Sequence, residues 1–346
     1  MANFGTLYED FRVKLTTLDH TILAQLDRDC RVPMTELAER IGELRQSVEY
    51  RVRQLVKHEI ITGFRAVFNP HRIGFKLNKL YFKLRNIGKA RAELLKMLRS
   101  SEMVWWMGEC SGSWDLVVVL FCRDDYELFD QKNNLLAKFS SIIVETKTET
   151  LLEVYHFPKM SYLTGEKTEP VFCGGRLTEN TLEKLDHVLL AELLSDARIS
   201  LTQLAKRLRS DRATVRARLH KLEELGVIIQ YRLDVDLTKL GLEMYKAVIA
   251  FDCYTEQDHT KLLGYISSLP GVQHFIRNLG NLELELIVKD YHEYSAVIDK
   301  LKKSFPYLIQ HIDSLLILTD EWTPSFNRKE FVSRFRTKPK PGVVNG

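Results

Sequence analysis

Apolar residues recur at three-and-four spacing through the first sixty positions: Ile22, Leu23 and Leu26, then Leu37, Ala38 and Ile41, then Val48, Val52 and Leu55. That spacing lines one face of an amphipathic helix, so three helices are predicted. Thr35 is expected to cap the second helix and Gly42 to turn its C-terminus, with the third helix running from near Arg45 to 57–59. So short a turn between the second and third helices fits a helix-turn-helix. The alternating stretch "IITGFRAVF" then reads as a short strand or β-wing.

Beyond the wing the period switches between two and 3.6. Strand "KLYFKLRN", a helix over Ala90–Ser100, strands "MVWWMGE" and "WDLVVVLFC", a helix over Tyr126–Phe139 and strand "IIVETKTETLLEVY" follow in turn. The order βαββαβ is that of a ferredoxin-like sheet with both helices on one face. The other face is left bare and invites pairing of two such domains.

The whole pattern then returns. "LDHVLLAELLSDARISLTQLAKRL" from Leu185 nearly repeats "LDHTILAQLDRDCRVPMTELAERI" from Leu18, an offset of 167 residues. The offset holds without a gap from Ala38/Ala205 through Arg65/Arg232 to Gly74/Gly241, and Gly112 then aligns best with Gly280. It is too long for a solenoid unit, so a two-domain unit is written twice. The expected fold class is α+β: a tandem repeat of a winged helix-turn-helix followed by a ferredoxin-like βαββαβ domain. Expected boundaries are an N-terminal extension to 16, readers at 17–68 and 181–235, ferredoxin-like domains at 76–157 and 243–322, a linker at 158–180 and a tail at 323–346.

Composition narrows the class without naming a chemistry. At 45% hydrophobic and 28% charged residues the chain is ordinary globular protein. No apolar run is long enough to span a bilayer and the N-terminus lacks a secretory pattern, so a cytoplasmic location is expected. The five scattered cysteines make neither a disulfide framework nor a metal site. The net charge of +4 is concentrated in the tail, where Arg328, Lys329, Arg334, Arg336, Lys338 and Lys340 face one Glu330. A nucleic-acid surface elsewhere must therefore be local.

"LDHTILAQLDRDCRVPMTELAERIGELRQSVEYRVRQLVKHEIITGFRAVFNPHRIG" and its second copy, with "ARISLTQLAKRL" and "VRARLHKLEELGVIIQYR", resemble the Lrp/AsnC family of feast/famine transcription regulators. Members usually carry one copy and pair as homodimers. This chain resembles a fused tandem form associated with archaea. The resemblance implies duplex DNA as partner, a small effector such as an amino acid, self-association through the ferredoxin-like domains, and no catalytic residue, metal, cofactor or membrane.

With Val48 facing the core, Gln46, Tyr50, Arg53 and Lys57 point outward on the third helix, with Arg45 and Ser47 at its start. The matching face of copy two is Ala213, Ala217 and His220, flanked by Arg212, Thr214, Arg216 and Lys221. Glutamine suits adenine, arginine guanine and lysine phosphate, while small alanines admit a thymine methyl. The two helices should read unlike half-sites. Arg51 and Arg218, on the flank of the buried stripe, are expected to make structural ion pairs. By position in the family, the effector residues would be Gly112 and Asp115 in copy one and Gly280 and Glu283 in copy two, where a carboxylate takes an ammonium group; "LGNLE" also reads simply as a tight turn. Copy two departs from copy one at Arg209 in place of Gly42 and Glu283 in place of Asp115.

Two rival readings stand beside this one. Siroheme decarboxylases share the layout, but their chemistry calls for converging histidines and arginines, and His156, His274 and His311 form no spaced cluster in the sequence. The other rival is an interaction module that has kept the fold and lost operator binding.

Overall fold

A computed structural model describes residues 15–166, 169–251 and 253–322. Most of the N-terminal extension and the basic tail lie outside the described residues. The first reader consists of α1 (Thr17–Arg28), α2 (Met34–Ile41), α3 (Arg45–Lys57) and the wing strand β1 (Ile61–Phe68). α1 opens with a capping box in which Thr16 and Asp19 exchange bonds. Thr35, expected as the cap of α2, lies inside the helix instead. Pro33 takes the N-cap position with no side-chain bond. Copy two keeps the cap there, with Ser200 and Gln203 in a full capping box. Gly42 turns the end of α2 in the left-handed region at φ +72°, and Arg209 adopts the same turn at φ +52° despite its side chain.

The first ferredoxin-like domain follows as β2 (Lys76–Leu84), α4 (Gly88–Arg99), β3 (Val104–Gly112), β4 (Leu116–Cys122), α5 (Asp125–Lys138) and β5 (Ile143–His156). The predicted order holds, with β2 entering a few residues earlier than its apolar run suggested. The segment expected to be a linker is packed. It forms a short α6 (Ser161–Thr164) and a strand β6 (Val171–Gly174) that pairs with β5. Met160 is fully buried in the first reader's core, and its N–H donates to Asp27 Oδ2 at 2.9 Å. The polar and turn residues of 158–180 hid these two anchors.

The second copy supplies α7 (Lys184–Ser195), α8 (Leu201–Leu208), α9 (Arg212–Glu224), β7 (Ile228–Val235), β8 (Glu243–Ala250), α10 (Glu256–Ile266), β9 (Val272–Asn278), β10 (Leu282–Val288), α11 (Tyr291–Ser304), β11 (His311–Ile317) and a two-residue β12 (Glu321–Trp322).

The copies pair within the chain, and they do so around a pseudo-two-fold axis. β1 and β7 form a two-stranded antiparallel sheet in which Arg65 stands opposite its own counterpart Arg232. The Cys30 N–H donates to the Tyr231 carbonyl at 2.9 Å and, reciprocally, the Ala197 N–H donates to the Phe64 carbonyl at 2.8 Å. Arg198 Nη1 donates to the Cys30 carbonyl at 2.5 Å, and Arg31 returns the bond to the Ala197 carbonyl. An interface that uses the same patch twice is what a symmetric dimer would make.

The ferredoxin-like sheets join edge to edge rather than face to face as expected. β5 pairs with β9 and β11 with β3, so eight strands close in the order β11-β8-β10-β9-β5-β2-β4-β3 and back to β11. Closure removes the open edges that each sheet would expose alone. Helices cover the outside through two apolar clusters, one around Leu80, Leu94 and Val118 and the other around Leu262, Leu284 and Leu301. The bare sheet faces of both copies turn inward and share one core with the second reader.

Candidate functional site

The outward faces of α3 and α9 are open. Arg45, Gln46, Tyr50, Arg53 and Lys57 are exposed while Val48, Val52 and Leu55 are buried. Ser47 is half-buried at the first turn. On α9, Arg212, Ala213, Arg216, Ala217 and His220 are exposed, Thr214 and Lys221 are half-buried, and Val215, Leu219 and Leu222 face inward. Asp211 caps α9, accepting from the Thr214 N–H at 2.8 Å. Some of these groups have partners on their own helix: Arg45 with Glu49 at 2.7 Å, and His220 with Glu224 at 3.2 Å.

Arg51 and Arg218 serve the scaffold. Arg51 Nε donates to Asp19 Oδ1 at 2.7 Å and its Nη2 to the other carboxylate oxygen. Burial works against ionisation of Asp19, yet Arg51 and Thr16 together hold its carboxyl below the ordinary carboxylate range. Arg218 repeats the arrangement with Glu183 at 2.6 Å and Asp186 at 3.4 Å. Each recognition helix is thus tied to the first helix of its reader.

Of the four residues placed by analogy at the effector turns, Gly112 and Gly280 lie on the seams between the copies, while Asp115 and Glu283 do not. Gly112 ends β3 at φ +135°, where a Cβ would sit 2.6 Å from the Ser314 carbonyl of β11. The Asp115 carboxylate accepts from the Leu84 N–H at 2.7 Å, bracing the end of β2. The Gly280 N–H donates to Glu149 Oε2 at 3.2 Å, across the other seam. Glu283 does meet ammonium groups, but they are the chain's own. It faces the barrel interior, fully buried, with Lys79 Nζ at 2.5 Å, Lys246 Nζ at 2.7 Å, Asn278 Nδ2 at 2.6 Å and the Tyr81 hydroxyl in contact. Burial alone would raise the Glu283 carboxyl, but the two ammonium groups outweigh it and hold it at about 2. Burial lowers Lys79 to about 8 against the pull of Glu283.

One cluster escaped the sequence reading. His156 and His274 stand opposite each other on the β5–β9 seam, their rings perpendicular with centroids 4.7 Å apart. They come from different copies, so no local spacing announced them; His311 is exposed and apart. His274 Nδ1 meets Glu285 Oε2 at 2.5 Å, and Glu285 also takes Lys246 at 2.6 Å. Burial keeps both imidazoles below their ordinary range, His156 well below. On the equivalent β12–β3 seam the paired residues are Trp322 and Trp106. Arg65, half over Trp322 at 4.6 Å and bonded to Asp234 at 2.5 Å, roofs this end of the barrel from the wing sheet. Trp105 and Trp106 are both buried, Trp105 edge-on to Phe68 and Trp106 donating to Asp320 at 2.7 Å. Among the described residues no group of three or more His, Cys, Asp or Glu side chains is arranged to hold a metal ion, and no helix is long and apolar enough to cross a membrane.

Two exposed recognition helices on a wing-paired scaffold define a helix-turn-helix protein, and comparison with known proteins names the type. Residues 15–56 match the AsnC-type helix-turn-helix domain, and residues 182–229 match a winged helix-turn-helix DNA-binding model. The HTH-type transcriptional regulator LrpC of Bacillus subtilis (strain 168) is 29% identical over 126 residues, 36% of this chain and 85% of that protein. The regulator LrpA of Pyrococcus horikoshii is 28% identical over 124 residues, 36% of this chain and 87% of its own length. Nearly the whole of such a relative thus corresponds to about one copy here. Over its full length the chain is similar in fold to the siroheme decarboxylase NirDL, with a TM-score of 0.60, 15% identity, and coverage of 92% of this chain and 97% of that one. The chain is thus a helix-turn-helix protein, similar to Lrp/AsnC-type regulators, that carries the unit twice.

Proposed function

We propose that this chain is a sequence-specific DNA-binding transcriptional regulator in which one polypeptide supplies both readers of an operator. The observation that carries this reading is the exposure of both recognition faces on readers fixed to each other by the β1–β7 sheet and the reciprocal arginine bonds. Gln46, Arg53, Arg212 and Arg216 reach base edges, Lys57 and Lys221 reach phosphates, and Tyr50, Ala213, Ala217 and His220 shape the contact with the groove. Because the two faces differ in nearly every residue, the operator is asymmetric. An amino-acid effector in this reading acts at the turn of Gly112 and Asp115, where one copy meets β11 of the other. The protein works in the cytoplasm and catalyses nothing.

Full-length protein binding a duplex with affinity that falls steeply as salt rises, and retaining it when residues after Asn327 are deleted, is the expected result. Loss of all retention on deleting the tail assigns binding to the tail alone, and no retention in either form leaves an interaction module.

The His156–His274 pair favours a second reading, that of an enzyme like siroheme decarboxylase. NirDL has been solved in complex with an iron-uroporphyrin III analogue, and buried imidazoles beneath Arg65 and Arg232 are groups such a substrate would use. A visible absorption band in protein purified from its source supports this reading; a colourless protein that binds duplex opposes it.

A further inference from the structure

In copy one the segment that leaves the barrel folds back over its own exit. β6 pairs with the last residues of β5, Glu153 opposite Gly174 and His156 opposite Val171. The turn after the wing holds it from the other side: Asn69 Nδ2 donates to the Gly174 carbonyl at 3.1 Å, and the Thr178 N–H to the His71 carbonyl at 2.9 Å. Cys173 of β6 is buried as a result.

The same place in copy two is a groove of about 550 Å³. Asp236 and Thr238, which stand 167 residues beyond Asn69 and His71, form one wall, and residues 316–320 form the other. Along 318–322 the backbone bonds to β3. Among the described residues no strand takes the side that β6 takes against β5. An unpaired edge beside apolar side chains is a template for one more strand.

The charge of the wall differs between the copies. Asp236 stands where copy one has Asn69, and Glu243 where it has Lys76. With Asp320 they give the groove three carboxylates, and among the described residues no lysine or arginine lines it. Each carboxylate accepts from a neutral donor: the Thr238 N–H at 3.0 Å, the Tyr245 hydroxyl at 2.7 Å and Trp106 Nε1 at 2.7 Å. Those bonds leave the negative charge uncancelled. Asn69 can donate to a carbonyl, whereas a carboxylate only accepts, so an occupant here must bring donors, and cationic donors bind most strongly.

The chain past Trp322 carries that chemistry. Trp322 is the seam counterpart of His156, and a proline follows two places later in both copies, at Pro158 and Pro324. β6 takes the fifteenth to eighteenth positions after His156, and the same count from Trp322 falls on 337–340. Segment 157–180 has three basic and three acidic residues, whereas 323–346 has six basic and one acidic. Wall and segment thus change charge together, in opposite senses. Prolines at 339 and 341 leave the N–H groups of Lys338, Lys340 and Gly342 on one edge, as suits a strand with a single neighbour.

We propose that residues 337–342 dock in this groove of their own chain as an added edge strand, with Lys338 and Lys340 against Asp236, Glu243 and Asp320. The tether favours the chain's own groove over that of a second molecule. This goes beyond operator reading and does not depend on it.

Hydrogen exchange in the full chain tests the docking. The amides of 337–342 are expected to exchange at least about tenfold more slowly than in a free peptide of residues 323–346, with the protection fading as salt rises. Carbodiimide coupling should join Lys338 or Lys340 to Asp236, Glu243 or Asp320. In a mixture of isotopically labelled and unlabelled chains those joins should fall within one chain. Lys338→Glu with Lys340→Glu, which alters none of the described residues, should abolish both signals. Exchange at the free-peptide rate overturns the proposal, and so does protection that survives the charge reversal. Joins between labelled and unlabelled chains hand the groove to a second copy and overturn it as well. Duplex retention, measured on the same proteins, stands or falls separately.

Discussion

Arg51 grips Asp19 through Nε and Nη2, Nε to Oδ1 at 2.7 Å, while Arg53, two residues on along the same helix, projects into solvent. Adjacent arginines of α3 therefore do different work. Arg51→Ala leaves a fully buried carboxylate without its cation and should lower stability by about 3–5 kcal/mol, since breaking a buried pair strands the remaining charge. Arg53→Ala should leave Tm within a degree or two and weaken operator binding by roughly 5- to 150-fold, the loss of one base contact at about 1–3 kcal/mol. Thermal melts and duplex titrations on both variants check the division.

The barrel interior makes a second expectation. Glu283 sits between Lys79 and Lys246 and cannot be replaced by a neutral isostere without leaving two ammonium groups facing each other. Glu283→Gln should destabilise the chain by about 3–5 kcal/mol in urea unfolding. The sign with pH is set by the same geometry. The folded carboxyl is depressed from 4.5 to about 2, so its contribution is complete above about pH 5 and is lost as pH falls towards 2. Unfolding midpoints of the native chain should drop across that window, and Glu283→Gln should flatten the drop.

Arg209 holds a left-handed turn that Gly42 performs in copy one. A side chain there costs about 1–2 kcal/mol, partly offset by the greater freedom glycine has when unfolded. Arg209→Gly should therefore gain about 0.5–1 kcal/mol in urea unfolding. An unchanged or lowered midpoint would mean that the Arg209 side chain compensates through a contact of its own.

The parts of this architecture that depend on nearby residues were legible in the sequence. Val48, Val52 and Leu55 set the face of α3, and α5 runs over Asp125–Lys138, one residue from the Tyr126–Phe139 its pattern predicted. The duplication was legible because Arg65 and Arg232 keep their register. What depends on pairing between the copies was not. Nothing near His156 announces that β5 meets β9 in the register that puts His274 opposite, and Glu283 looked like a turn residue because its lysines are far away in the chain. The packed segment around Met160 and Cys173 was read as a linker because its apolar anchors are single residues among turn formers. Periodicity reports which face is buried, and closure of a barrel decides against what.

Selection of bound duplexes from a random pool by the full chain tests the central claim most directly. The account predicts an enriched site of two unlike halves, centred about one helical turn or 34 Å apart, with Arg53→Ala relaxing one half only and Arg216→Ala the other. A perfectly palindromic site, a single half-site, or no enrichment would contradict it.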